Sequence, residues 1–203
     1  MAIDASAAHG FRVTRRRCLG SLAATVVAMV YPCYGGPRWL QVTRHAAVIN
    51  STPLKAALKI QQSDFEGLRK HGEETYPYEC CGVLLGHVHD DAREVRVIVH
   101  AINVRYDSPR TRYAISPAEL ISIRRQGREK GLDIIGFYHS HPDRPVQPST
   151  TDLTEAYWFN CPYVITSVRK GKADITNAFV LVGSNEEDKH FAQEDIQVMT
   201  DSK

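Results

Sequence analysis

Leu132-Asp133-Ile134-Ile135-Gly136-Phe137-Tyr138-His139-Ser140-His141-Pro142 is the stretch on which the fold turns. Its near-continuous apolar and aromatic run, begun after Gly131 and stopped by Pro142, predicts a strand buried on both faces. Upstream, Ser116-Pro117-Ala118-Glu119 supplies a helix N-cap, a proline at the first helical position and a glutamate three residues after the cap, so a helix is expected to about Lys130. Downstream, Pro142, Pro145 and Pro148 forbid regular structure, and Ser149-Thr150-Thr151-Asp152 opens another helix.

Further out, Ser63-Asp64-Phe65-Glu66-Gly67-Leu68 begins a first helix, with Ser63 as its expected cap, ending before Pro77. Cys81–Gly86 and the alternating Glu94-Val95-Arg96-Val97-Ile98-Val99 predict a hairpin. Tyr113-Ala114-Ile115 predicts a third strand, and residues 163–168 and 178–182 the closing pair. The order α-β-β-β-α-β-α-β-β, without internal repeats, predicts an α+β domain with helices around a central, mainly antiparallel sheet.

The chain of 203 residues has room for one domain and an extension. Its 43% hydrophobic and 24% charged residues fit a globular core and no multi-span membrane protein. With 25 basic and 23 acidic residues there is no broad cationic footprint, and nucleic acid is not an expected partner. The domain is expected over residues 54–200. Residues 1–53 read as an extension in which Arg15-Arg16-Arg17 feeds an apolar stretch, either an imperfect export signal or a start placed too far upstream. The five cysteines, an odd number with two of them before residue 34 and two adjacent at Cys80 and Cys81, are a poor pattern for a disulfide framework. That favours a cytoplasmic core, with export to the periplasm as the alternative.

The chemistry lies at the end of the 132–142 strand. Residues two apart on a strand share a face, so His139 and His141 can grip one ion together. Asp152 is the nearest third ligand, because the short proline-rich loop turns the chain back. Two imidazoles and a carboxylate suit one Zn2+, and three protein ligands leave a position for water, whose pKa zinc lowers to about 7. Glu79, just before the first hairpin strand, is the best-placed acid for moving protons, and Ser149 could donate to a tetrahedral oxyanion. Each feature has a plainer reading: Ser149-x-x-Asp152 is an ordinary capping pattern, and a His-x-His pair alone is more often accidental. The conjunction is specific. His87-Val88-His89-Asp90-Asp91 reads as a solvated turn. Of Cys80 and Cys81, on opposite faces, at least one is core, and Cys161 is a small buried residue.

The motif Glu79…His139-Ser140-His141-Pro142…Ser149-Thr150-Thr151-Asp152 resembles the JAMM (MPN+) metalloprotease family, in its small prokaryotic JAB-type branch. Residues 77–86 resemble that family's first-strand motif and residues 107–113 its middle segment; the resemblance spans about residues 58–198. It implies a curved β-sheet flanked by helices and zinc-dependent hydrolysis of a peptide or isopeptide bond near the C-terminal tail of a ubiquitin-like or sulfur-carrier protein. A non-catalytic MPN-type scaffold is the alternative, although such a member is expected to have lost a ligand or the acid, and this chain has lost neither. A DNA-repair relative would carry glycine after Pro142, where this chain has Asp143, and a periplasmic peptidase depends on the leader. Arg144, in the loop after the histidines, is expected to bind substrate, so that its removal raises KM and spares turnover.

Overall fold

The computed structural model describes residues 57–89 and 92–201. The expected extension over residues 1–53 lies outside them, as do Asp90 and Asp91 of the proposed turn. Eight strands and three helices follow in order: β1 (Ala57–Gln61), α1 (Gln62–Thr75), β2 (Cys81–His89), β3 (Ala92–Ala101), α2 (Pro117–Glu129), β4 (Asp133–Pro142), α3 (Thr150–Glu155), β5 (Pro162–Arg169), β6 (Lys172–Val182), β7 (His190–Glu194) and β8 (Ile196–Met199). All eight strands join one sheet, ordered β7-β6-β5-β4-β2-β3-β1-β8. Its pairings are antiparallel for β2–β3, β2–β4, β5–β6 and β6–β7, and parallel for β1–β3, β1–β8 and β4–β5. The expected α+β domain is therefore present, with a sheet more mixed than the expected hairpins alone would make.

β7 and β8 occupy opposite edges of the sheet although only Asp195 separates them in sequence. The sheet must therefore curl until its edges nearly meet. The seam is held by the Leu58 amide donating to the Asp195 carbonyl (3.0 Å) and by Arg93 of β3, which reaches across to Glu194 of β7 and donates to the Asn160 carbonyl (2.9 Å). Both charged side chains are largely withdrawn from water.

β4 lies between β2 and β5 and is buried over nearly its whole length, which is why it reads as a continuous apolar run. One of its faces joins Phe137 to Cys81, Val83, Leu85 and Ile123 of α2. The other joins Ile135 and Tyr138 to Cys80, Leu84, Val164 and Leu68 of α1. The ring of Tyr138 lies against Gly82, where any Cβ would collide with it and with the Val99 carbonyl; glycine is required there.

Two local expectations fail for one reason, a long-range partner replacing a local one. Ser63 does not cap α1, which starts two residues earlier with Gln61 at the N-cap position; the Ser63 amide and hydroxyl both donate to Asp201 Oδ1 instead (3.2 and 2.9 Å). Tyr113–Ile115 is not a strand. The Ala114 amide donates to the side-chain oxygen of Asn103 (3.2 Å), in place of a strand neighbour's carbonyl. The Ser116 cap and Pro117 start of α2 are present as read, with Gly131 just past its end at φ 69°. Among the described residues no helix is long and apolar enough to cross a membrane.

Breaking a buried ion pair leaves an uncompensated charge. Arg93→Ala is expected to lower the unfolding free energy by about 3 kcal/mol, read from urea denaturation. Glu194→Gln with Arg93→Met should recover most of that loss.

Candidate active site

The parallel pairing of β4 with β5 requires a connection that crosses back over the sheet. That connection carries the proline-rich loop and α3, and so returns Asp152 to the face of β4 from which His139 and His141 project. His139 Nε2 lies 3.1 Å from His141 Nε2; Asp152 Oδ1 lies 3.4 Å from the first and Oδ2 3.4 Å from the second. Both imidazoles are buried and the carboxylate is nearly so. These are the ligand-capable groups among the described residues that gather within 4.8 Å of one another, and they could hold a metal ion. Ligands at zinc's bond lengths of about 2.0–2.1 Å in tetrahedral array stand about 3.3 Å apart, so the observed spacings fit such an ion.

Each ligand-capable atom is aimed by something specific. His141 Nδ1 donates to the Pro145 carbonyl (2.6 Å), which leaves Nε2 of the neutral ring with its lone pair toward the cluster. His139 Nδ1 has no hydrogen-bond partner, and its ring is instead stacked on Tyr113, centroids 4.5 Å apart. Ser149 and Asp152 form a reciprocal capping box: Asp152 N–H donates to Ser149 Oγ (3.1 Å) and Ser149 N–H donates to Asp152 Oδ2 (2.6 Å). The capping reading of Ser149-x-x-Asp152 is therefore real, and it is also what orients the carboxylate. Burial holds the His139 pKa below the ordinary imidazole value, against the pull of Asp152. Burial opposes charge on Asp152 too, but the two imidazoles outweigh it and keep its carboxyl well below the usual range.

Glu79 stands beside this cluster at the exit of α1, immediately before β2, with its side chain fully buried and neither carboxylate oxygen hydrogen-bonded. Desolvation pushes its pKa up to about 7, with His141 and Arg144 pulling down and Asp152 pushing up. Arg144 Nη1 lies 3.6 Å from Glu79 Oε1 and also donates to the Thr111 carbonyl (3.3 Å). Arg144 is thus tied to the acid as well as half-exposed to anything that binds. Its removal is expected to lower kcat as well as raise KM; an unaltered kcat would confine it to binding.

Sequence reasoning missed Asn103. Its side-chain NH2 donates to the Glu79 and Arg112 carbonyls (3.1 and 3.0 Å), and its oxygen accepts from the Arg105 and Ala114 amides (3.0 and 3.2 Å). That uses all four hydrogen-bonding positions of the amide, so one residue anchors the Glu79 segment to the 105–114 loop. Nothing in the local pattern distinguishes an asparagine that follows a strand end from a turn residue. All three described thiols are buried: Cys80 and Cys81 lie in the cores on opposite sides of the sheet, and burial pushes Cys80 and Cys161 up to about 12 and Cys81 higher still.

Residues 61–182 match the family model for prokaryotic homologs of the JAB domain. The chain belongs to this family. This JAB homologue is 36% identical over 119 residues to the desampylase of Haloferax volcanii, a match covering 59% of the chain and 84% of that protein. It is 34% identical over 108 residues to a Thermus thermophilus protein named "Probable TtuB-protein conjugate cleaving protease", over 53% of the chain and 68% of that protein. Among solved structures, a Desulfitobacterium hafniense protein superposes with TM-score 0.62 at 25% identity, covering 71% of the chain and 94% of its own. A Salinibacter ruber protein does so with TM-score 0.55 at 37% identity, covering 70% and 91%. The curled sheet with its helices is thus the JAB-type architecture that the motif implied.

The raised pKa of Glu79 has a stability consequence in the metal-free protein. A carboxyl that binds its proton more tightly when folded contributes stability below pH about 4.5, and that contribution is lost as pH rises through about 7. Glu79→Gln is therefore expected to be more stable than the parent by about 3 kcal/mol at pH 8, with the difference gone by pH 4. Thermal melts in chelator at the two pH values check this; a Gln variant less stable at pH 8 would contradict it.

Proposed function

We propose that this JAB homologue is a zinc-dependent metallopeptidase or isopeptidase, working in the cytoplasm on an amide bond next to the C-terminal tail of a ubiquitin-like or sulfur-carrier protein. The observation that carries the reading is the convergence of His139, His141 and Asp152 at ligand spacing beside a buried Glu79 whose carboxylate oxygens accept no hydrogen bond. The names of the two relatives support the substrate class.

In this reading His139, His141 and Asp152 hold one zinc ion. Zinc so bound supplies an activated water and Lewis-acid polarisation of the scissile carbonyl. Glu79, with a pKa near the working pH, takes the proton from the attacking water and hands it to the departing nitrogen. Arg144 steadies the Glu79 carboxylate whenever it is charged. Ser149 accepts from Asp152 through its oxygen and so keeps its own proton to donate to the developing oxyanion.

A mostly apolar cleft of about 320 Å³ is lined by Ala114, Ile115, Phe137, Tyr157 and Trp158 together with Asp152. A cleft that reaches Asp152 offers a place for an extended substrate tail beside the cluster.

The test uses a fusion in which a Gly-Gly-ended ubiquitin-like domain is joined through its C-terminus to a reporter. Cleavage after the last glycine is expected from the parent protein, with loss in chelator and return on adding zinc. Glu79→Gln should reduce kcat by about a hundredfold or more. Undiminished cleavage in chelator, or by the Gln variant, would contradict the reading.

A further inference from the structure

Asp143 follows the histidine pair and Pro142 directly, and its backbone takes φ 51°, a conformation with a steric cost for any residue but glycine. Its side chain is fully engaged there. Oδ1 accepts the Lys170 amide (2.8 Å) and Oδ2 accepts the Tyr76 hydroxyl (2.7 Å), while its own amide donates to the Val168 carbonyl (2.8 Å). Tyr76 is the C-cap residue of α1, three residues before Glu79, and Asp143 is two residues past His141. One hydrogen bond thus joins the segment that presents the acid to the end of the strand that presents the imidazoles.

Other ties hold Glu79 differently. Its amide donates to the Pro109 carbonyl (2.7 Å) and its carbonyl accepts from Asn103, which fix it to the 103–109 loop and not to β4. Direct backbone ties to β4 lie on the far side of Glu79, where the Cys80 amide donates to Ser140 Oγ (2.9 Å) and the Ser140 amide to the Cys80 carbonyl (3.2 Å). Further upstream, α1 is itself tied to β4, where His71 Nδ1 and the Tyr138 hydroxyl are hydrogen-bonded (2.9 Å); without Tyr76 bound to Asp143, the stretch between that tie and Cys80, which carries Glu79, would lose its side-chain hydrogen bond to the end of β4.

We infer that Asp143 is a positioning residue: through the hydroxyl of Tyr76 it sets where Glu79 stands relative to His139, His141 and Asp152. The inference rests on the peptidase reading above and adds to it a residue whose side chain touches neither substrate nor ligand set. It also accounts for an aspartate at a turn where glycine would carry no steric cost.

Three single variants and one double variant of the full chain separate this from a merely structural role. Asp143→Gly keeps the turn and removes both side-chain bonds; Tyr76→Phe removes one; Asp143→Asn tolerates the turn and can still accept from Lys170 and donate to the Tyr76 oxygen. On the cleavage substrate, Asp143→Gly and Tyr76→Phe should each lose roughly tenfold in kcat with KM little changed. Asp143→Asn should stay near the parent, and the Tyr76→Phe/Asp143→Gly double variant should be no worse than Asp143→Gly. Amide hydrogen exchange supplies a readout independent of turnover: the Tyr78–Cys80 amides should exchange faster in the Gly and Phe variants and at the parental rate in Asn. Parental kcat in Asp143→Gly, a double variant whose losses multiply, or failure of Asn to rescue would overturn the inference. If the parent protein cleaves nothing, the peptidase reading falls by itself, and unaltered exchange at Tyr78–Cys80 in Asp143→Gly then overturns the brace separately.

Discussion

The parallel pairing of β5 with β4 is the constraint from which the rest of the site follows. Two parallel neighbours cannot be joined by a tight turn, so the chain must leave the end of β4, cross the sheet and come back. β4 ends in the two histidines, and the crossover contains the proline-rich loop and the short helix α3. The loop returns the Pro145 carbonyl to His141 and the guanidinium of Arg144 to Glu79, and the helix returns Asp152 to both imidazoles. A hairpin at the same place would have carried the third ligand away. Buried clusters on both faces of β4, one reaching α2 and the other α1, hold the strand that carries the histidines.

Burial decides the electrostatics. Desolvation lowers the pKa of His139 and raises those of Glu79 and all three described thiols. What separates the groups is the company each keeps. Asp152 has two imidazoles and a backbone amide and stays ionised; Glu79 has one guanidinium at 3.6 Å and no hydrogen bond, and is held near the pH at which it can both take and give a proton. Two carboxylates in one buried site are thereby pushed apart in pKa, the difference on which the proposed roles of ligand for Asp152 and proton carrier for Glu79 rest. For the cysteines burial outweighs the partners, the Arg93 charge near Cys161 and the Ser140 hydroxyl near Cys80, and all three thiols are pushed up.

Much of this was legible in the chain. A strand buried on both faces announces itself as an apolar run, and the two-residue period places His139 and His141 on one side without further information. Ser149 and Asp152 are three apart, so their capping box is also local. What was not legible depends on residues far apart in sequence. Asp201 replaces the local cap expected at Ser63, and Asn103 accepts the Ala114 amide that a strand neighbour's carbonyl would have taken. β1, β7 and β8 are short, and β7 and β8 largely exposed, so they carry little apolar pattern; their places are set by pairing with partners elsewhere in the sheet. The tie between Tyr76 and Asp143 spans 67 residues and leaves no trace in either local pattern.

Metal content of the purified full-length chain is the most direct test of the account, measured by elemental analysis after dialysis and set against His139→Ala and Asp152→Ala variants whose circular dichroism shows an intact fold. The account predicts one zinc per chain in the parent and loss of that zinc in both variants. Absence of bound metal after reconstitution with zinc, or a full complement retained when either ligand is removed, would contradict it.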